Sequence, residues 1–134
     1  MSIKLCGFIR DEKGGKSFLS IIENPELSDL SKMLDNMKDK SGMVSLQISP
    51  EPEVGVYKLS LNAHDNKYLI MLSEYEQDGE HSVRTPTNLD VENVLIDFYG
   101  EAYPARSIVS DFGLVKNIFD EFLNTGNVSK NLLS

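Results

Sequence analysis

Gly15-Lys16-Ser17 is the one fragment of the chain that repeats part of a nucleotide-binding motif. In a phosphate-binding loop those residues follow a glycine five positions before the Gly-Lys and open a helix, so that backbone N–H groups cradle phosphate oxygens. Here Arg10 holds the glycine position, and the residues after Ser17 lack a clear amphipathic pattern. Phosphate binding is therefore not expected. The carboxylate pairs Glu74/Glu76 and Asp97/Glu101 have the residue types for glycosidic acid–base work or for a divalent ion. That chemistry requires a cleft that perturbs one carboxyl, and spacing alone supplies none. His64 falls in a turn and His81 beside Glu80, neither with His or Cys at metal-ligand spacing, so each reads as a solvated loop residue. EF-hand, HExxH, GxSxG and CxxC patterns are absent. The expectation is a protein that is not an enzyme, with no catalytic residues, no metal ligands and no cofactor. Cys6, the single cysteine, sits near Leu5 and Phe8 and reads as a small core residue; without a second thiol no intrachain disulfide forms.

Charge carries more information than motif. The 134-residue chain has a formal net charge of −8. From Glu74 to Glu101 the acids are Glu74, Glu76, Asp78, Glu80, Asp90, Glu92, Asp97 and Glu101, against the single base Arg84. That segment holds nearly all of the excess. Such a balance argues against a nucleic-acid partner, whose phosphates need clustered Lys and Arg, and favours a basic one. Acidic loops also serve solubility alone. The functional alternative is a surface that steers a basic protein, with Tyr75 and Tyr99 as anchors among the carboxylates. Neither a secretory leader nor a run of the ~18–20 apolar residues needed to span a bilayer is visible, so no membrane partner and a cytoplasmic location are expected.

These residues have to be positioned by a scaffold, and its centre is Asp111–Leu123. Phe112, Val115, Phe119 and Phe122 recur at helical spacing, Ser110 or Asp111 can cap the start, and Gly126 suits the end. A helix with three phenylalanines needs a broad apolar surface, and the preceding hundred residues read as the sheet that provides it. Ile3–Ile9 and Ser17–Ile22 form an opening hairpin around Gly14-Gly15. Asn24 caps a first helix with Pro25 in its first turn; Leu27, Leu30, Met33, Leu34 and Met37 make its buried stripe, and Ser41-Gly42 stops it. Those methionines read as core filler rather than a binding groove. Met43–Ser49 alternates with Val44, Leu46 and Ile48 inward, and Pro50–Glu53 breaks it. Val56–Ala63 and Tyr68–Tyr75 make a second hairpin, with Tyr57, Leu59 and Leu61 on one face. Ser82–Thr85 is a short edge strand and Val91–Phe98 a further strand. Val128, Leu132 and Leu133 in the tail fold back.

From Val94 onward the chain resembles bacterial immunity proteins of contact-dependent growth inhibition and related polymorphic toxin systems. Gly100, Glu101 and Tyr103 match a Gly-acid turn followed by an aromatic residue. Asp111, Leu114, Val115, Phe119, Phe122, Thr125 and Gly126 match the terminal helix and its cap. The resemblance covers the last third of the chain. It implies a small α+β domain that neutralises a cognate toxin domain, and many such toxins are basic nucleases.

The combined expectation is one α+β domain over residues 1–134: an antiparallel sheet of about five or six strands with two helices on one face. Its expected function is stoichiometric binding of a toxin domain through Glu74, Tyr75, Glu76, Asp78, Glu80, Asp90, Glu92, Asp97, Tyr99 and Glu101. The alternative is a small cytosolic enzyme or ligand-binding domain with a pocket between sheet and helices. A third possibility is a homo-oligomer subunit with an exposed apolar edge or patch.

Overall fold

A computed structural model describes residues 2–98 and 100–133. Alternating apolar residues in four long segments build the frame: β1 (Ser2–Arg10), β4 (Ser41–Ser49), β5 (Gly55–His64) and β6 (Lys67–Tyr75). They lie side by side in the order β6-β5-β4-β1, antiparallel throughout. Short strands complete the edges. Next to β1 run β2 (Lys16–Phe18) and β3 (Ile22–Glu23); next to β6 run β7 (His81–Arg84) and β10 (Ile108–Val109). The α+β architecture with an antiparallel sheet is the expected one.

Period-two alternation puts Leu5, Val44, Leu46, Ile48, Leu59, Leu61, Ile70 and Leu72 on one face, and both helices cover it. α1 (Leu27–Met37) contributes Leu30, Met33, Leu34 and Met37. α2 (Phe112–Thr125) contributes Val115, Ile118, Phe119 and Phe122. Each such side chain stabilises the fold by about 1.5–3 kcal/mol through burial. Gly42 lies in the inward row of β4, where a Cβ would strike the Phe8 carbonyl and approach Met37 Sδ at 2.9 Å. Lys116 Nζ donates to Asp35 Oδ1 at 2.8 Å and links the helices at their solvent edge. No helix among the described residues is long and apolar enough to cross a membrane.

α2 is capped as its sequence dictates. Asp111 Oδ1 accepts the Leu114 N–H at 3.3 Å, and Gly126 closes the helix at φ 76°, a left-handed value that favours glycine. The start of α1 differs from expectation. Asn24 has φ 49° and its side chain accepts the Ile3 N–H, so it serves the sheet; Glu26 is the cap, and Asp29 Oδ2 accepts its N–H at 2.9 Å. The far end also differs: Asp39, at φ 65°, reverses the chain before Ser41-Gly42, which belong to β4. Leu27 is 47% exposed and stands off the buried stripe.

Two further differences bear on function. The β5–β6 register shifts between Val56 and Lys58, and this bulge turns Tyr57 away from the Leu59 and Leu61 face. The strand expected over Val91–Phe98 forms only as β8 (Leu95–Phe98), paired with β9 (Glu101–Pro104). The preceding segment is tied to the single helical turn at Ala105–Ser107 instead: Asn88 N–H donates to the Arg106 carbonyl, and Arg106 Nε donates to the Val91 carbonyl. Phe98, with Ile96 and Tyr103, packs on Leu69, Met71 and Ile108, so the β8–β9 hairpin lies on the sheet face away from the helices.

Candidate functional site

The chain reversal between β6 and β7 gathers the side chains with the most specific mutual geometry. Tyr75 ends β6, His81 begins β7 directly opposite it, and Gly55 lies opposite Tyr75 on β5. The bulge brings Tyr57 to the same face. The Tyr57 and Tyr75 rings stack at 4.6 Å and 17°, and His81 stands 5.8 Å and 5.9 Å from them. Tyr57 Oη and His81 Nε2 share a hydrogen bond of 2.8 Å. Tyr75 Oη donates to Glu51 Oε1 at 2.6 Å. That bond to a carboxylate, with some burial and the negative charge itself, pushes the Tyr75 phenol up to about 12.

Around this ring cluster lie exposed carboxylates. Glu76, Asp78 and Glu80 sit in the β6–β7 turn, and Glu51 and Glu53 in the segment between β4 and β5. The turn is held by its own bonds, Glu76 N–H to the Glu80 carbonyl at 2.7 Å and Glu80 N–H to Asp78 Oδ1 at 3.0 Å. The result is a fixed acidic edge with aromatic rings beside it. Its chemistry is that of a cation receiver: aromatic faces attract ammonium and guanidinium groups, and carboxylates pair with them.

The structure brings together only part of the residues expected to act jointly. Glu74 faces the helix side and stands 3.2 Å from Arg84 Nε, a charge contact without hydrogen-bond alignment. Alternation already separates it from Tyr75, since Glu74 shares the parity of Ile70 and Leu72. Asp90 and Glu92 are exposed in the segment before β8. Asp97 and Glu101 belong to the β8–β9 hairpin; Asp97 lines a hollow with His64, Asp65 and Lys67 at the opposite end of β6, and Glu101 lines one with Arg10 and Asn62. Nine residues of strand put about 26 Å between the two ends. Glu101 accepts the Tyr103 hydroxyl at 2.7 Å, which raises the Tyr103 pKa. Tyr99 lies outside the described residues. Glu51, Glu53, Tyr57 and His81 join the site without having been expected there. The acid–proline run 50–53 carried a signal for the first two; the bulge at Tyr57 left none.

The other chemistry-bearing residues are also placed. Asp11 Oδ1 accepts the Lys13 and Gly15 N–H groups at 2.9 and 2.7 Å, so the loop amides before Lys16 serve a turn. His64 Nδ1 lies 3.2 Å from Ser41 Oγ. Among the described residues no three His, Cys, Asp or Glu side chains gather as a metal-binding group. Between sheet and helices, where the alternative reading puts a pocket, Leu34, Met37, Phe119 and Phe122 are fully buried.

Residues 2–132 match a family described as being of unknown function, DUF6911. The chain belongs to that family. This DUF6911 chain shares its fold with the crystal structure of a hypothetical protein from Neisseria gonorrhoeae, with a TM-score of 0.84 at 23% identity, over 96% of this chain and 90% of that one. No curated protein matches the DUF6911 chain.

Proposed function

We propose that this protein is an immunity protein: a cytoplasmic inhibitor that binds a cognate toxin domain, one with a basic surface such as a nuclease. The observation that supports this reading best is the acidic edge at the β6–β7 turn. Glu51 bonds Tyr75 of the Tyr57–Tyr75 stack there, and Glu76, Asp78 and Glu80 are exposed in the turn that follows Tyr75. A basic toxin surface would be steered by the carboxylates and anchored on the rings, the usual division between long-range attraction and a central contact. Such an interface buries ~1,200–2,000 Å² in total, so it extends beyond the turn onto neighbouring strands. Asp97 and Glu101, at the far end of β6, fall outside it.

The test is affinity capture with this protein as bait at low and moderate salt, followed by titration calorimetry with the captured partner and with the product of the adjacent upstream gene. The expected result is a basic toxin domain bound one to one. Reversing Glu76, Asp78 and Glu80 to Lys should weaken binding about a thousandfold, because close interfacial charge pairs couple by about 1.5 kcal/mol or more each. Retention of no protein partner at either salt, or a partner insensitive to these reversals, would overturn the proposal.

A further inference from the structure

Strands β2 and β3 form one edge of the sheet, broken by an extra residue. Phe8 faces Phe18 and Arg10 faces Lys16, whereas Leu5 faces Ile22 and Lys4 faces Glu23, so the register on β1 slips by one between Phe18 and Ile22. Leu19 N–H donates to the Gly7 carbonyl at 2.9 Å, and Asn24 N–H to the Ile3 carbonyl at 2.7 Å. Backbone groups alternate in direction along a strand, so Ser17 and Leu19 point toward β1, as do Ile22 and Asn24. Those of Lys16, Phe18, Ile21 and Glu23 therefore point outward from the edge. Among the described residues, β2 and β3 pair with β1 alone. The four side chains share the sheet face away from the helices: Lys16, Phe18 and Glu23 stand opposite Arg10, Phe8 and Lys4, and Ile21 walls the same hollow as Phe18. Phe18 is 77% exposed and Ile21 66%.

This edge is complementary to itself. Against a second copy running antiparallel, Lys16 falls opposite Glu23 and Phe18 opposite Ile21, and each pair occurs twice about a two-fold axis between Leu19 and Ser20. The extra residue makes the match possible, because it shifts the alternation so that outward backbone groups meet outward groups at all four positions. A slide of two residues either way sets Lys16 opposite Ile21 or Phe18 opposite Glu23. Glu23 has a loose tie in its own chain, 3.8 Å to Lys4 Nζ with both side chains exposed. An edge lysine ordinarily keeps a second strand away; here the same segment carries the carboxylate that matches it.

We propose that two copies of this chain associate along β2 and β3 as a two-fold symmetric, antiparallel pair of edges. The two sheets become one, with the backbone groups of Lys16 and Phe18 bonded to those of Glu23 and Ile21 of the other copy, ion pairs at the ends and apolar contacts inside. The contact is about 26 Å long, which places it among small, reversible interfaces. The inference is independent of the toxin reading, because the acidic turn lies between β6 and β7 at the opposite edge of the sheet.

Sedimentation velocity of the full chain from about 5 μM to about 500 μM should show monomer passing to dimer and nothing larger. Zero-length carbodiimide coupling should join Lys16 to Glu23 in the dimer; in one chain the two lie about 23 Å apart along the edge, so that link forms only between copies. Lys16→Glu alone and Glu23→Lys alone should each weaken the dimer about tenfold, since either sets two like-charge pairs across the axis. The double variant Lys16→Glu/Glu23→Lys should restore it to within about threefold, which a distorted edge would not do. Phe18→Pro removes one outward N–H and the ring while sparing the bonds to β1, so it should abolish the dimer with the circular dichroism of the fold retained. A monomer throughout the range, a dimer insensitive to the single reversals, no restoration by the double variant, or coupling through other segments would overturn the proposal. So would a captured protein that shields residues 16–23 from hydrogen exchange while the chain alone stays monomeric, since the edge would then belong to that protein.

Discussion

At the scale of single residues, Tyr75 is held by a bond to a carboxylate that changes its titration. Its hydroxyl donates to Glu51, and its pKa rises from 10.0 to about 12 because the neutral phenol is the form that holds the bond. A folded-state value above the unfolded one contributes stability that is complete below pH 10 and disappears between pH 10 and about 12. Spectrophotometric titration of the five tyrosines should therefore show one phenol ionising near 12. Glu51→Gln should return that phenol toward 10 and leave the Tyr57–His81 bond intact. A titration identical in both proteins would show that the Glu51 bond does not form in solution. The same bond fixes the Tyr75 ring, which would lower the entropy lost on binding the cation of the proposed partner.

At the scale of elements, α2 and the tail after it are held by a few identifiable polar contacts on top of the apolar stripe. Asp111→Ala should cost about 1 kcal/mol by leaving the Leu114 N–H without its cap. Gly126→Ala should cost about 1 kcal/mol, because the left-handed φ of 76° is strained for a residue with a Cβ. Urea denaturation at constant m reads both losses. The tail is fastened by Arg84, which donates to the Val128 carbonyl at 3.2 Å, the Leu133 carbonyl at 3.4 Å and Asn127 Oδ1 at 2.8 Å. Its side chain is only 13% exposed, beside Glu74. Arg84→Met should destabilise by about 2 kcal/mol, since it removes these bonds and leaves a half-buried carboxylate without its cation. Hydrogen exchange should quicken in residues 127–133 before it quickens in the sheet. Uniform loosening of the whole chain would show that Arg84 supports the core rather than the tail.

For the whole molecule, the decisive feature is that the carboxylates expected to act jointly are divided between the two ends of β6. Glu76, Asp78 and Glu80 lie in the β6–β7 turn and Glu51 bonds Tyr75 beside it, whereas Asp97 shares the other end with Lys67 and His64 and Glu101 lies there beside Arg10. Screening over about 8 Å at physiological salt separates charges some 26 Å apart, so one ordinary contact does not use both ends equally. Under the proposed function, charge reversal at Glu76, Asp78 and Glu80 should reduce association with the proposed toxin partner and its salt dependence, while reversal at Asp97 and Glu101 changes affinity less than threefold. Equal effects from both sets would mean an interface running along the full open face of the sheet.

The amino-acid sequence by itself determined what depends on near neighbours along the chain. Period-two alternation settled which residues of Met43–Ser49 face the core, and helical spacing with an aspartate before and a glycine after settled α2. It read α1 less well, because Asn24 has a competing partner in Ile3, twenty-one residues away. Only the tertiary structure decided the rest. One extra residue in β5 moved Tyr57 from the core row to the aromatic cluster, and a single bulge leaves no trace in composition. The loop between β4 and β5 brought Glu51 to Tyr75, and cross-strand pairing brought Lys16 to the face of Phe8. Folding also parted Glu74 from Glu76 and sent Asp97 and Glu101 to the opposite end of β6. Side-chain periodicity is a local property of the backbone, whereas the composition of a surface site follows from strand register and hairpin placement, which long-range packing selects.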